Sequence, residues 1–169
     1  MHPALVKKTS TIANVGGVLN AIALEGRALG PCLLSGRGAG DMPTAVSVVA
    51  DVLDVAQALR RGVPGLATRA IQLEARPLAP LDEVEARHYL RFQVFDRPGV
   101  LARITGALGD ARVSIEQMVQ QGGGDSSGAA VQVVILTHVA EERAVRIALG
   151  TIATHDYVAA PTRMLRVQE

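Results

Sequence analysis

The run Asp96-Arg97-Pro98-Gly99-Val100-Leu101 places a carboxylate, a proline and a glycine just ahead of an apolar stretch with helical spacing. Pro98 suits the first helical turn, and Gly99 lets a ligand approach the backbone. A helix N-terminus carries unpaired N–H groups at the positive end of the dipole, which suits a carboxylate. Asp96 can then accept from an α-amino group, so the segment offers complementary chemistry for a zwitterionic amino acid. A plain strand-to-helix turn would use the same residues. Ser114, Gln117 and Gln120 fall at or along the next strand, where they suit either the rest of a pocket or a solvated sheet edge.

Other candidates for chemistry are weaker. His2, His88, His138 and His155 are too scattered to pair as metal ligands. His155-Asp156 lacks the elbow and oxyanion hole that a nucleophilic triad needs. Gly36-Arg37-Gly38-Ala39-Gly40 reads G-x-G-x-G and misses the third glycine of a dinucleotide fingerprint. Cys32 is the one cysteine, which excludes an internal disulfide and fits a reducing, cytoplasmic setting.

The elements that must position the turn follow from pattern. His88–Phe95 alternates as a strand, Pro98–Leu108 is helical, and Val113–Gln121 is a strand again. A glycine-rich loop over 122–128 leads to a β-prone run, Ala129–Thr137. A helix over Ala140–Ala153 and a short strand, Met164–Val167, complete a β-α-β-β-α-β order. That is the split βαβ, or ferredoxin-like, plan, with both helices on one face of an antiparallel sheet. Ala129–Leu136 is apolar on both sides of its strand, which predicts that the open face of the sheet self-associates.

Ahead of this module, residues 1–16 read as a loop or extended lead-in. Gly17–Glu25 and Ala28–Ser35 read as strands, and Pro43 opens a helix reaching Arg61 with the stripe Val46, Val49, Ala50, Leu53 and Ala56. Pro64, Pro77 and Pro80 mark a linker. The fold class is therefore α+β: a partial α/β segment of two strands and one helix over 1–61, a linker over 62–87, and a βαββαβ domain over 88–169.

A net charge of +1 leaves no footprint for nucleic acid or an anionic membrane. RNA binding on a ferredoxin-like sheet needs stacking aromatics on one face, and Phe92 and Phe95 alternate to opposite faces. No apolar run reaches the ~18 residues of a membrane span. Membrane and nucleic acid are thus not expected partners.

The βαββαβ order with Tyr89-Leu90-Arg91, Asp96 to Ala102, Val113-Ser114-Ile115 and Gln120 resembles the ACT domain, an amino-acid-sensing module that usually pairs near its ligand site. His2-Pro3-Ala4-Leu5, Ala13-Asn14-Val15, Gly17-Val18-Leu19-Asn20-Ala21, Gly36–Gly40, Pro43-Thr44-Ala45 and Val48-Val49-Ala50-Asp51 resemble the segment that precedes the ACT domain in bacterial homoserine dehydrogenase. Leu81–Arg91 resembles that family's entry into the domain. One departure is Val46-Ser47, where the family commonly has Ser-Ala.

This resemblance implies the C-terminal regulatory portion of an NAD(P)-dependent oxidoreductase of threonine and methionine biosynthesis. Asp96, Pro98, Gly99, Val100, Leu101, Ser114, Gln117 and Gln120 would bind the regulatory ligand, L-threonine. It implies Gly40 as a contact to the NAD(P) of the parent enzyme. No cofactor, metal or catalytic residue is expected in this chain, whose lysines, Lys7 and Lys8, match no catalytic lysine. A homo-oligomer formed through the ACT sheet is expected. The competing expectation is a free-standing ACT-type amino-acid-binding or dimerisation protein without activity.

Overall fold

Alternation along Glu85–Phe95 (β4) sends His88, Leu90, Phe92 and Val94 inward, and leaves Tyr89, Arg91 and Gln93 on the other face. In the computed structural model, which describes residues 2–62, 75, 77–122 and 129–168, β4 is a central strand. It pairs antiparallel with Ala130–Thr137 (β6), setting Leu90 opposite Ile135 and Phe92 opposite Val133. On its other side it pairs antiparallel with Val158–Gln168 (β8). Ile115–Gln121 (β5) forms the edge beyond β6, and Ala4–Val6 (β1) adds a parallel strand beyond β8.

Helices Val100–Asp110 (α2) and Glu142–Ala153 (α3) cover one face. Val100, Ile104 and Leu108 recur every fourth residue on α2, and Val145, Ala148 and Ile152 form the inner stripe of α3. Together with Tyr157, these side chains fill a single core. Each fully buried Ile, Leu or Phe in it contributes roughly 1.5–3 kcal/mol of transfer free energy.

Several boundaries differ from those expected on sequence. The first strand of the module begins at Glu85, and the last runs from Val158. Arg91 faces Arg163 while Gln93 faces Ala160, so β8 inserts an extra residue around Pro161 and Thr162. This bulge accommodates a proline that could not donate to a regular ladder. Pro98 does not open α2, whose N-cap is Gly99. Ala140-Glu141 (β7) pairs with β4 before α3 starts. Residues 123–128 of the glycine-rich loop, and 63–74 and 76 of the linker, lie outside the described residues.

Residues 7–77 form a second unit, distinct from the unit made of 1–6 and 78–169. In it Leu19–Gly26 (β2) and Gly30–Arg37 (β3) make an antiparallel hairpin. Asp41–Arg60 (α1) follows, with Pro43 at its third position; there the missing N–H still costs no helical bond. The expected stripe of Val46, Val49 and Leu53 is present, beside a second row of Val48, Val52, Val55 and Leu59, and no residue of α1 is buried.

By length and composition α1 is apolar enough to cross a membrane, with a mean hydropathy of 1.3, contrary to the expectation that no run reaches a span. Asp51 and Asp54 interrupt it midway, and each would cost about 2.5–3.5 kcal/mol at a bilayer centre. A wide apolar face backed by acidic residues is instead the pattern of a helix that packs on protein.

Candidate ligand-binding site

Where β4 ends, Val100 donates its N–H to the Arg97 carbonyl at 3.2 Å, closing a turn with Pro98 and Gly99 at its centre. Gly99 has φ 86° and ψ −7°, the values of the third residue of a type II turn, which glycine adopts without strain. The turn delivers the chain into α2 with Gly99 as N-cap, and Arg103 donates to its carbonyl at 3.1 Å. The N–H groups of Leu101 and Ala102 find no acceptor among the described residues, so they remain open to a ligand.

Asp96 is fixed by its backbone, which donates to the Ala129 carbonyl at 3.0 Å. Its exposed carboxylate makes no ion pair among the described residues. The neighbouring cation does not neutralise it: Arg97 Nη1 sits 3.2 Å from Asp156, and its guanidinium lies 5.3 Å from the centre of the Phe95 ring. An open cavity of about 450 Å³ joins Asp96, Pro98, Gly99, Val100 and Leu101 to Gln120, over an apolar floor of Val94, Val131 and Val133. Its lining offers one carboxylate, the backbone at the start of a helix, and one carboxamide beside apolar carbon.

Two expected members of the site are elsewhere. Gln120 pairs opposite Val133, on the helix-covered face, whereas Gln117 pairs opposite Leu136 and belongs to the open face. They are three positions apart, so a strand must send them to opposite sides. Ser114 precedes β5, and its Oγ hydrogen-bonds His138 Nδ1 at 3.2 Å.

A cluster not anticipated from sequence lies inside the domain. Glu142, with no exposed surface, accepts from Arg166 Nε and His88 Nε2 on one oxygen, at 2.8 and 3.1 Å. Its other oxygen accepts from Arg166 Nη2 at 2.8 Å and from Arg146 at 2.8–3.0 Å. Burial pushes its carboxyl up, but the hydrogen bonds from His88, Arg166 and Arg146 and the Arg166 charge outweigh that and hold it below the usual glutamate value. The His88 N–H also donates to Thr137 Oγ1 at 3.0 Å, so the cluster ties β4, β6, α3 and β8 together.

Gly40 is the N-cap of α1 with φ 121°, a backbone conformation that favours glycine. Its carbonyl accepts from Thr44 N–H and Oγ1, at 3.1 and 2.8 Å. One glycine cap does not amount to a dinucleotide cradle. Among the described residues no group of histidine, cysteine and acidic side chains could hold a metal ion.

The family models divide the chain in the same order. Residues 88–150 match the ACT domain, so the unit that carries the cavity is an ACT domain. Residues 1–53 match homoserine dehydrogenase. The chain is 38% identical over 172 residues to homoserine dehydrogenase from Neisseria gonorrhoeae, covering 99% of this chain and 39% of that protein. It is 36% identical over 173 residues to the Pseudomonas aeruginosa enzyme, covering 100% of this chain and 40% of that one.

Among solved structures, a homoserine dehydrogenase from Thiobacillus denitrificans superposes with a TM-score of 0.82 at 38% identity, over 99% of this chain and 38% of that one. The chain thus spans about two fifths of the length of these relatives. It is similar to the C-terminal part of homoserine dehydrogenase, ACT domain included.

Proposed function

We propose that this chain is the regulatory portion of an NAD(P)-dependent homoserine dehydrogenase of threonine and methionine biosynthesis, and that its ACT domain senses L-threonine in the cytoplasm. The observation that carries this reading is the cavity lined by Asp96, whose carboxylate has no ion pair among the described residues, by Gly99, Val100 and Leu101 at the start of α2, and by Gln120. Threonine's carboxylate meets the N–H groups at the positive end of α2. Its ammonium meets Asp96, its hydroxyl meets the Gln120 carboxamide, and its methyl rests on Val131 and Val133. Charge-assisted bonds of this kind contribute roughly 1.5–3 kcal/mol each.

In the whole enzyme, threonine would shift the protein towards a less active state by its differential affinity for the two states. Pairing of two ACT sheets is part of the proposal: β5 is an exposed edge carrying Met118 and Val119, and Gln120 on that edge lines the cavity. Gly40 would meet the nicotinamide cofactor only beside a nucleotide-binding domain. The exposed α1 favours this reading over a free-standing binding protein, because such a face needs a protein body to cover it.

Calorimetric titration of the chain with threonine tests the reading, with homoserine, serine and isoleucine as controls. Saturable binding selective for threonine, weakened at least tenfold by Asp96→Ala, is expected. Heats that are the same for all four amino acids, or the same in the variant, would overturn it.

A further inference from the structure

The sheet face opposite the helices carries a charge arrangement that the threonine site does not use. Arg91 on β4 and Arg163 on β8 are direct cross-strand partners. Both are exposed, and neither guanidinium has a hydrogen bond or an ion pair among the described residues. Like charges placed directly opposite each other destabilise a sheet. Nearby Arg87 shows the ordinary solution, since it pairs with Glu116.

The bulge at Pro161 lies beside this pair and opens the strand locally. There Arg91, Arg163, Gln93 and Gln132 converge on a recess of about 330 Å³, walled by Ala160 and Pro161, with no acidic side chain in its lining. Guanidinium groups present forked donors that match the paired oxygens of a carboxylate or phosphate, and the two carboxamides add further donors.

We propose that this recess binds a small dianionic oxyanion, either a phosphate or a short dicarboxylate, independently of the amino-acid cavity. Two guanidinium charges match a dianion, and the glutamines supply neutral donors to its remaining oxygens. The ligand would also relieve the repulsion between Arg91 and Arg163, so site occupancy and sheet stability are coupled.

Thermal unfolding and calorimetry of the full chain, in sodium phosphate, sodium malonate and sodium chloride matched for ionic strength, provide the test. Phosphate or malonate is expected to raise the melting temperature by several degrees over chloride, and the stronger of the two identifies the oxyanion. Arg91→Gln and Arg163→Gln should each lower the affinity for that anion at least tenfold while leaving threonine binding unchanged. In chloride at low ionic strength, Arg163→Gln should melt higher than the parent chain, because the opposed charge is gone. Equal effects of all three salts, or variants that keep the anion response, would overturn the proposal.

Discussion

Glu142 is the residue where removal of one group disturbs most. Arg166 is 6% exposed and His88 fully buried, and both depend on the Glu142 carboxylate for a partner. Breaking a buried ion pair from one side costs about 3–5 kcal/mol, because the remaining charge stays out of water. Glu142→Gln should therefore lower stability by about that amount. The pH dependence has a definite sign. Glu142 has a depressed pKa in the folded chain, so its contribution is present above the unfolded glutamate value and is lost as pH falls through the folded one. Melting temperatures recorded between pH 3 and pH 7 should fall in acid for the parent chain and less steeply for Glu142→Gln. Parallel curves would assign the acid sensitivity to another carboxylate. None of this was legible in the sequence, where a glutamate in the first turn of a helix reads as a surface residue favoured by the dipole. The available hint was phase: His88 lies in register with Leu90, Phe92 and Val94, the inward row of β4.

The elements were more legible than their ends. Alternation in β4 and helical spacing in α2 and α3 are patterns set by burial on one side, whereas β6 is apolar on both sides and its inner face shows only in the fold. One proline misled at a boundary. Pro98, expected to set the first turn of the helix, belongs to the turn before α2, while Pro161 sits in a bulge inside β8. The site divided along the same line: Asp96 to Leu101 and Gln120 share a cavity, whereas strand parity removes Gln117 from it. Two glycines of this region give a paired prediction. Gly99 has φ 86° with open space where a β-carbon would stand, so the cost of Gly99→Ala is that of the left-handed backbone alone, about 1 kcal/mol. It should also weaken the proposed threonine binding by tilting the N–H groups that follow. Gly106, inside α2 and equally uncrowded, should respond in the opposite direction, with Gly106→Ala gaining about 0.5–1 kcal/mol. Urea titrations of both variants would check the signs, and destabilisation by Gly106→Ala would show that helix propensity does not govern α2.

At the scale of the whole molecule, burial is divided very unevenly. Among the described residues, the buried apolar ones belong to the unit formed by 1–6 and 78–169, while α1 in the other unit leaves Val46, Val48, Val49, Val52, Leu53, Val55 and Leu59 roughly half exposed or more. The first unit supplies a stable core, and the second supplies an adhesive helix. Two separate apolar surfaces, α1 and the β5 edge with its Met118 and Val119, have a consequence for assembly. An isologous contact through one surface closes at a dimer, but contacts through both extend further. The isolated chain should therefore form species larger than a dimer at tens of micromolar. A lysine placed in the α1 face, as in Val52→Lys, should trim them to a dimer held by the ACT sheets. Val119→Lys added on the β5 edge should then release monomers, since a charge on an edge strand blocks pairing. Sedimentation velocity on the parent chain, the single variant and the double variant separates these cases. Monomers already in Val52→Lys would place all self-association in α1 and remove the sheet as an interface. If the dimer survives in Val52→Lys, threonine should tighten it, because Gln120 brings the amino-acid cavity to the pairing edge.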